Sequence, residues 1–318
     1  MNINKEILKT IKYFHFFTYY PTLTEIYTFL QAKISKNSLN KELERMGRLN
    51  VIGIYKKHTP PQYSIGKKIL NNKYDISKKK LDSWRYRMYI KLLSFFPQIK
   101  LVGLSGSISM MNAGIGDDID LFIITAKNRL FTGRFIALVL AQIIGLRRTR
   151  KARYQKFFDG KPQTAKNLVS SLSFNNETME QYSNNVRNKV CLNLIFDESA
   201  LQVPKFKQTE YVGHEVLQMK PIINRDQTYE RFLEANKWVQ TIFPNSDLIV
   251  SKVKSQNYFK NFKLLTLTSN FLLLTFNFIE SILKNLQLTL INSHRTTELI
   301  SNSQLWFHPV DFGKKIKY

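Results

Sequence analysis

Residues 101–125 read LVGLSGSISMMNAGIGDDIDLFIIT. An apolar run ends in Gly106-Ser107, and after a ten-residue spacer Asp118-Ile119-Asp120 opens a second one, Leu121-Phe122-Ile123-Ile124. Two carboxylates one residue apart on a strand project from the same face. Two such oxygens just ahead of buried Leu, Phe and Ile suit a hard divalent cation. Gly-Ser at the end of a strand offers backbone N–H groups and a hydroxyl that can hold a phosphate. Together they point to metal-assisted phosphoryl or nucleotidyl transfer.

Working outward, the pattern predicts strand, short helix, strand and long helix over 99–103, 107–113, 119–125 and 128–146, the last closed by Gly145 and Arg147-Arg148. Residues 149–189 are polar, basic at first and then rich in Ser, Asn and Gln, and read as an insertion or loop. KVCLNLIF at 189–196 is a third strand, followed by Asp197-Glu198. Helices are expected over 209–219 and 229–243, separated by a turn at Asn224-Arg225-Asp226, and over 257–290 as one helix or a pair. The tail from Gln304 to Asp311 is compact and aromatic.

Upstream, 75–96 reads as a single amphipathic helix with Leu81, Trp84, Met88, Ile90, Leu92 and Leu93 among its apolar positions, stopped by Pro97. In 1–65, Ile7, Leu8, Ile11 and Phe14 share a helical face. Thr22 and Glu25 form a capping box for a second helix, and Leu39, Leu43 and Met46 line a third. Two short strands then flank a basic turn at 56–61. Three helices and a basic hairpin are the plan of a winged helix, in which Lys36, Lys41, Arg45 and Arg48 of the third helix would face a nucleic-acid groove.

The chain has 318 residues, 43% apolar and 22% charged, which is enough for a core and for two or three domains. Its net charge of +25 favours polyanions, although a Lys-, Asn-, Ile- and Phe-rich composition is also what an AT-rich genome would encode. A single cysteine, Cys191, excludes an internal disulfide and fits a reducing cytoplasm. No secretory pattern opens the chain, and the longest uncharged stretch, 264–279, is short for a span and carries several Thr, Ser and Asn. A cytoplasmic location without membrane insertion is expected.

The Gly106-Ser107 and Asp118-x-Asp120 pattern resembles the polymerase-beta-type nucleotidyltransferase superfamily, over about 30 of 318 residues. More widely, residues 1–244 resemble uncharacterised bacterial proteins that join a winged-helix-like N-terminus to such a domain; the shared features are KVCLNLIF, HEVLQMKP at 214–221 and FLEANKWV at 232–239, with WFHP at 306–309 in the tail. The resemblance implies an α+β fold. A winged-helix-like domain (1–70), a linker helix (71–98), a nucleotidyltransferase core (99–205, with the insertion) and a mostly helical C-terminal region (206–318) would follow one another.

It further implies that Gly106 and Ser107 bind the β- and γ-phosphates of a nucleoside triphosphate, and that Asp118 and Asp120 hold two Mg²⁺ ions. Asp117, on the opposite face, is a weaker ligand candidate. The superfamily's third carboxylate falls on KVCLNLIF, where Asn193 stands; its amide oxygen can ligate a metal but cannot act as a base. Asp197 lies four residues further along the strand, about 13 Å at strand rise. Lys220 and Arg225 are candidate phosphate contacts, and His214-Glu215 could face the site. The expected activity is Mg²⁺-dependent transfer of NMP from an NTP to a hydroxyl of an acceptor. The alternative is a catalytically weak, nucleotide-sensing regulator that binds nucleic acid.

Overall fold

The computed structural model describes residues 2–56, 59–66, 72–148, 188–246, 270–293 and 298–307. The N-terminal unit has three helices, α1 (Ile3–Phe16), α2 (Leu23–Phe29) and α3 (Lys36–Arg48), and an antiparallel ribbon of β1 (Gly53–Tyr55) and β2 (Gln62–Ser64). Local chemistry starts each helix. The side chains of Asn2 and Ser35 cap α1 and α3, and Thr22 and Glu25 form a complete capping box on α2, each cap worth about 1 kcal/mol. Ile7, Ile11, Ile26, Leu39, Leu43 and Met46 bury one face of each helix in a common core with Tyr63.

The helix expected over 75–96 is two, α4 (Lys73–Asp82) and α5 (Trp84–Leu93). Ser83 is extended, and its hydroxyl accepts from the Tyr86 N–H to start α5 afresh. The break resets the helical face. Trp84 and Met88 point outward, 67% and 47% exposed, while Tyr86, Tyr89, Ile90 and Leu93 are buried.

A six-stranded mixed sheet forms the centre: β3 (Ile99–Leu104), β4 (Ile119–Thr125), β5 (Val190–Asp197), β6 (Lys220–Asn224), β7 (Leu299–Ile300) and β8 (Gln304–Trp306), in the order β6-β3-β4-β5-β8-β7. β4 and β5 are parallel and the other neighbours antiparallel. A parallel pair requires a crossover, and α7 (Leu130–Ile143) lies on it. Along β4, Leu121 and Ile123 pack with Tyr89, Phe131 and Ala137 on one face. Phe122 and Ile124 pack with Phe196, Phe232 and Trp306 on the other. Burial on both faces is why this strand reads as an unbroken apolar run.

The second face is covered by α8 (Glu210–Gln218), α9 (Thr228–Ala235) and α10 (Trp238–Ile242). One helix was expected over 229–243, but fully buried Asn236 divides it. Its carboxamide donates to the Leu201 and Phe232 carbonyls and accepts from the Val203 and Trp238 N–H groups, tying the chain to a neighbouring loop. The final helix, α11 (Asn270–Asn292), is fixed to α7 by Glu280, whose carboxylate accepts from the Phe131 and Thr132 N–H groups at 2.8 Å each. These are donors at the start of α7 that no helix can satisfy internally.

Besides its helices, the region after 205 supplies three strands and both edges of the sheet. The N-terminal unit packs against the second face of that sheet. Its Tyr13, Phe14 and Phe29 belong to the same apolar cluster as Phe122, Val216 and Phe243. Lys9 pairs with Glu210 at 3.1 Å, and Asn245 accepts from the Ile34 N–H and donates to the Ala32 carbonyl. Among the described residues no helix is long and apolar enough to cross a membrane.

Candidate nucleotide site

Leu104 pairs with Leu121 on one side and Lys220 on the other, and Asp120 stands opposite Cys191. The Gly-Ser turn, the Asp-x-Asp and the start of HEVLQMKP's strand therefore meet at one end of the sheet. α6 (Gly106–Ser109) turns immediately off β3, held to β4 by the Ser105 N–H on the Asp120 carbonyl at 3.0 Å. Gly106 has φ +59°, in the left-handed region. A Cβ there would lie 2.7 Å from Asp120 Oδ2. Glycine thus serves two needs at once, the turn and the approach of the Asp120 carboxylate.

Asp120 is half-buried and Asp118 is 3% exposed, and both belong to the face covered by α8 and the N-terminal unit. Asp118 Oδ2 is held by Arg148 Nη1 at 2.9 Å. Asp117 behaves as a loop residue: its carboxylate accepts from the Gly114 N–H at 2.9 Å and lies 3.5 Å from the Ser107 hydroxyl. Lys80, 3% exposed on α4, donates to the carbonyls of Ile115 and Asp117 at 3.1 and 2.6 Å, and Ser77 accepts from the Ala113 N–H. The loop that delivers Asp118 is therefore pinned from outside by α4.

β5 carries a bulge. Leu192 pairs with Leu121 and Leu194 with Phe122, so Asn193 is the extra residue without a register partner on β4. Asn193 is buried, its amide oxygen accepting from the Cys191 thiol at 2.9 Å and its carbonyl from the Phe307 N–H. The residue opposite Asp120 is thus Cys191. Burial first, then the charges of Asp120 and Asp118, push its thiol up to about 12. At neutral pH it is a protonated thiol. Asp197 does not bend toward the site. It pairs with Thr125 at the far end of β4, where it accepts from the Arg129 and Ser199 N–H groups.

Lys220, paired with Leu104 at this end of the sheet, is exposed. Surrounding protein lowers its amine pKa and the Glu25 carboxylate raises it, with solvent access blunting the first effect. Lys73 approaches from the other side, its amine bonded to the Thr18 hydroxyl, with burial lowering and Asp117 raising its pKa. The loop after α1 adjoins the same end, since Asn112 donates to the Phe17 carbonyl at 2.9 Å. Tyr211 of α8 donates to Glu215 at 3.0 Å, and its hydroxyl is pushed up by burial and by the Glu215, Tyr13 and Asp120 groups.

His214 is not in this cluster. It is fully buried between the rings of Tyr13 and Phe29, with centroids 3.7 and 4.2 Å away, and burial holds it well below the usual histidine range. Arg225 donates to the Ser94 carbonyl beside the far end of β6. His308 lies outside the described residues. An open depression of about 460 Å³ along Asp75, Lys78, Lys79, Asp82 and Ser83 is lined by α4 and its elbow alone and holds no residue of the motif.

The donor set can be tested against Mg²⁺. Asp118 and Asp120 supply hard carboxylate oxygens, but Arg148 already neutralises one of them. The third position offers a protonated thiol and a neutral amide. Among the described residues no three His, Cys, Asp or Glu side chains converge as a metal cage. These residues fit one hard cation completed by substrate oxygens, not an ion caged by protein alone. Sequence reasoning missed Arg148, Lys80 and Cys191 as parts of this site. In the sequence Arg147-Arg148 reads only as the charged close of the long helix, and nothing local marks the partner of Arg148.

No family model matches the chain, and no curated protein or solved structure is significantly similar to it.

Proposed function

We propose that this protein binds a nucleoside triphosphate at the Gly106–Asp120 end of its sheet. With Mg²⁺, it transfers the NMP group to a hydroxyl of an acceptor and releases pyrophosphate. The observation that carries this reading is the closeness of Gly106 to Asp120, where only a missing Cβ lets the turn and the carboxylate meet. A phosphate held at the turn would lie beside a carboxylate-bound cation, as phosphoryl transfer needs.

The roles follow from position. The Ser107 hydroxyl and the N–H groups of the Gly106-Ser107 turn donate to the terminal phosphates. Lys220, exposed at the same end of the sheet, balances phosphate charge. Asp118 and Asp120 would hold a Mg²⁺, which when bound would supply electrophilic stabilisation of the transferred nucleotidyl group. Lys80 holds the loop that presents Asp118. The acceptor approaches from solvent, and the exposed Lys36, Lys41, Arg45 and Arg48 of α3 make a nucleic acid the favoured class, in a winged-helix-like mode.

A second reading has its own support. The Arg148–Asp118 pair and the uncharged Cys191 and Asn193 weaken the metal site, which favours nucleotide binding with little turnover and a regulatory role. Incubation with each α-labelled NTP, Mg²⁺ and total cellular RNA and protein separates the two. Label transfer lost in Asp118→Ala and Asp120→Ala supports the transferase. Mg²⁺-dependent binding without transfer supports the sensor, and neither binding nor transfer rejects both.

A further inference from the structure

The break at Ser83 turns one face of α5 to solvent. Of the three tryptophans, Trp306 is buried and Trp238 half-buried, while Trp84 is exposed. At about 100° per residue, Trp84, Met88 and Lys91 fall within roughly 60° of one another on the helix, with Arg87 to one side and Arg85 to the other. All five are exposed. The opposite side, Tyr86, Tyr89, Ile90 and Leu93, is buried in the core. The Arg85 guanidinium lies over the Trp84 ring, 5.6 Å from its centroid. An indole, a thioether and three cations thus share one solvent-facing surface on a single helix.

The charges on this face are unbalanced. α5 contains no Asp or Glu, and among the described residues Arg85, Arg87 and Lys91 form no ion pair. The acidic residues nearest in sequence, Asp75 and Asp82, belong to α4, where they line the open depression with Lys78 and Lys79. Lys189 extends the positive surface. Burial first, and then the charge of Arg85, lowers its amine pKa. That amine donates to the Gly145 carbonyl at 2.7 Å, and the Lys189 carbonyl accepts from the Ile119 N–H at 2.8 Å. The basic track therefore runs from α5 to the strand residue between Asp118 and Asp120.

We infer that the outer face of α5 binds single-stranded nucleic acid, with an unpaired base stacked on Trp84 and the adjoining phosphates held by Arg85, Arg87 and Lys91. Inside a duplex the base faces cover one another, so an indole in solvent takes a base from a single strand. The flanking cations match a phosphate backbone. A helix lying in a membrane interface sinks a continuous apolar face into the lipid, whereas here the apolar side of α5 already belongs to the core. The surface is also distinct from α3, whose basic residues suit the groove of a duplex. It stands whether or not the Gly106 end turns over a nucleotide. Where that end does transfer NMP, the bound strand is its acceptor.

Fluorescence anisotropy on the full chain tests this, in EDTA and without NTP. The probes are labelled oligouridylate and oligothymidylate of about 12 nucleotides, within the usual single-strand site size, and a duplex of the same length. Stacking and phosphate contacts tolerate either sugar, so both strands should bind. Trp84→Ala should weaken that binding at least about fivefold, Trp84→Tyr by less, and neither should change duplex binding. Arg87→Gln with Lys91→Gln should flatten the slope of log affinity against log salt by about 1.4, two contacts at about 0.7 each. All of these residues are exposed, and circular dichroism checks the fold of each variant. Strand binding unchanged in Trp84→Ala, or an equal loss for the duplex, overturns the inference. So does Trp84-dependent binding to phosphatidylglycerol vesicles with no binding to either strand. Strand binding without label transfer from an NTP leaves the inference standing and counts against the transferase alone.

Discussion

The two ends of the central sheet both carry buried carboxylates, and they treat them differently. At one end Asp197, 2% exposed, accepts from the backbone N–H groups of Arg129 and Ser199, while the neighbouring Glu198 accepts from the Lys127 N–H. At the other end a side-chain guanidinium is one partner of Asp118, and the Asp120 carboxylate packs against Gly106. Backbone partners are part of the chain's path and cannot leave without unfolding a turn. Side-chain partners can be exchanged for a metal or a phosphate. The difference separates two ends that look alike as Asp residues at strand termini, and it is the exchangeable end to which the proposed function assigns the ligand.

Gly106→Val should have the largest effect. The new side chain meets Asp120 Oδ2 and forces a β-branched residue to φ +59°. Label transfer should fall by at least about 100-fold, as expected for losing several kcal/mol of electrostatic stabilisation, with the far end of the sheet unaffected in thermal melts. Asp197→Asn should do the reverse. It removes charge-assisted bonds and should cost about 1.5–3 kcal/mol of stability in urea unfolding, with nucleotide affinity unchanged. A loss of affinity equal to that of the Gly106 variant would erase the distinction between the ends.

A smaller effect separates the site from its packing. His214 is held neutral by burial and, secondarily, by the charge of Lys9. Its folded pKa lies below the unfolded value of 6.5, so the unfolded chain takes up a proton first as pH falls. Stability is therefore full above 6.5 and drops below it, by up to about 1.4 kcal/mol per pH unit, until the folded group itself titrates. In urea titrations at pH 7.5 and 5.5, His214→Phe should flatten this dependence. An unchanged pH profile in that variant would place the sensitivity among the carboxylates instead.

What could be read from the sequence was what is local. Thr22-Glu25, Ser35 and Thr209 announce their helices because a cap and its donor lie within three residues. Gly106-Ser107 and Asp118-x-Asp120 announced their strands and turn for the same reason. Strands β6 to β8 were not legible, since two to five residues carry no usable periodicity and their identity comes from pairing with distant segments. The bulge at Asn193 is also nonlocal. The bulge shifts the register by one residue, so that Cys191 and not Leu192 stands opposite Asp120, and no pattern within KVCLNLIF reveals it. Lys80 reaches the site from α4 and Arg148 from the segment that follows α7, and in both places the sequence explains the charge as ordinary surface.

The central claim is that Asp120 and the Gly106 turn form one metal-dependent nucleotide site. Equilibrium binding of labelled nucleoside triphosphates, measured with Mg²⁺ and with EDTA on the unmodified chain, Asp120→Asn and Asp197→Asn, tests it directly. The account predicts binding that requires Mg²⁺, is lost in Asp120→Asn and is retained in Asp197→Asn. Binding that is indifferent to Mg²⁺, or that survives Asp120→Asn at full strength, would contradict it.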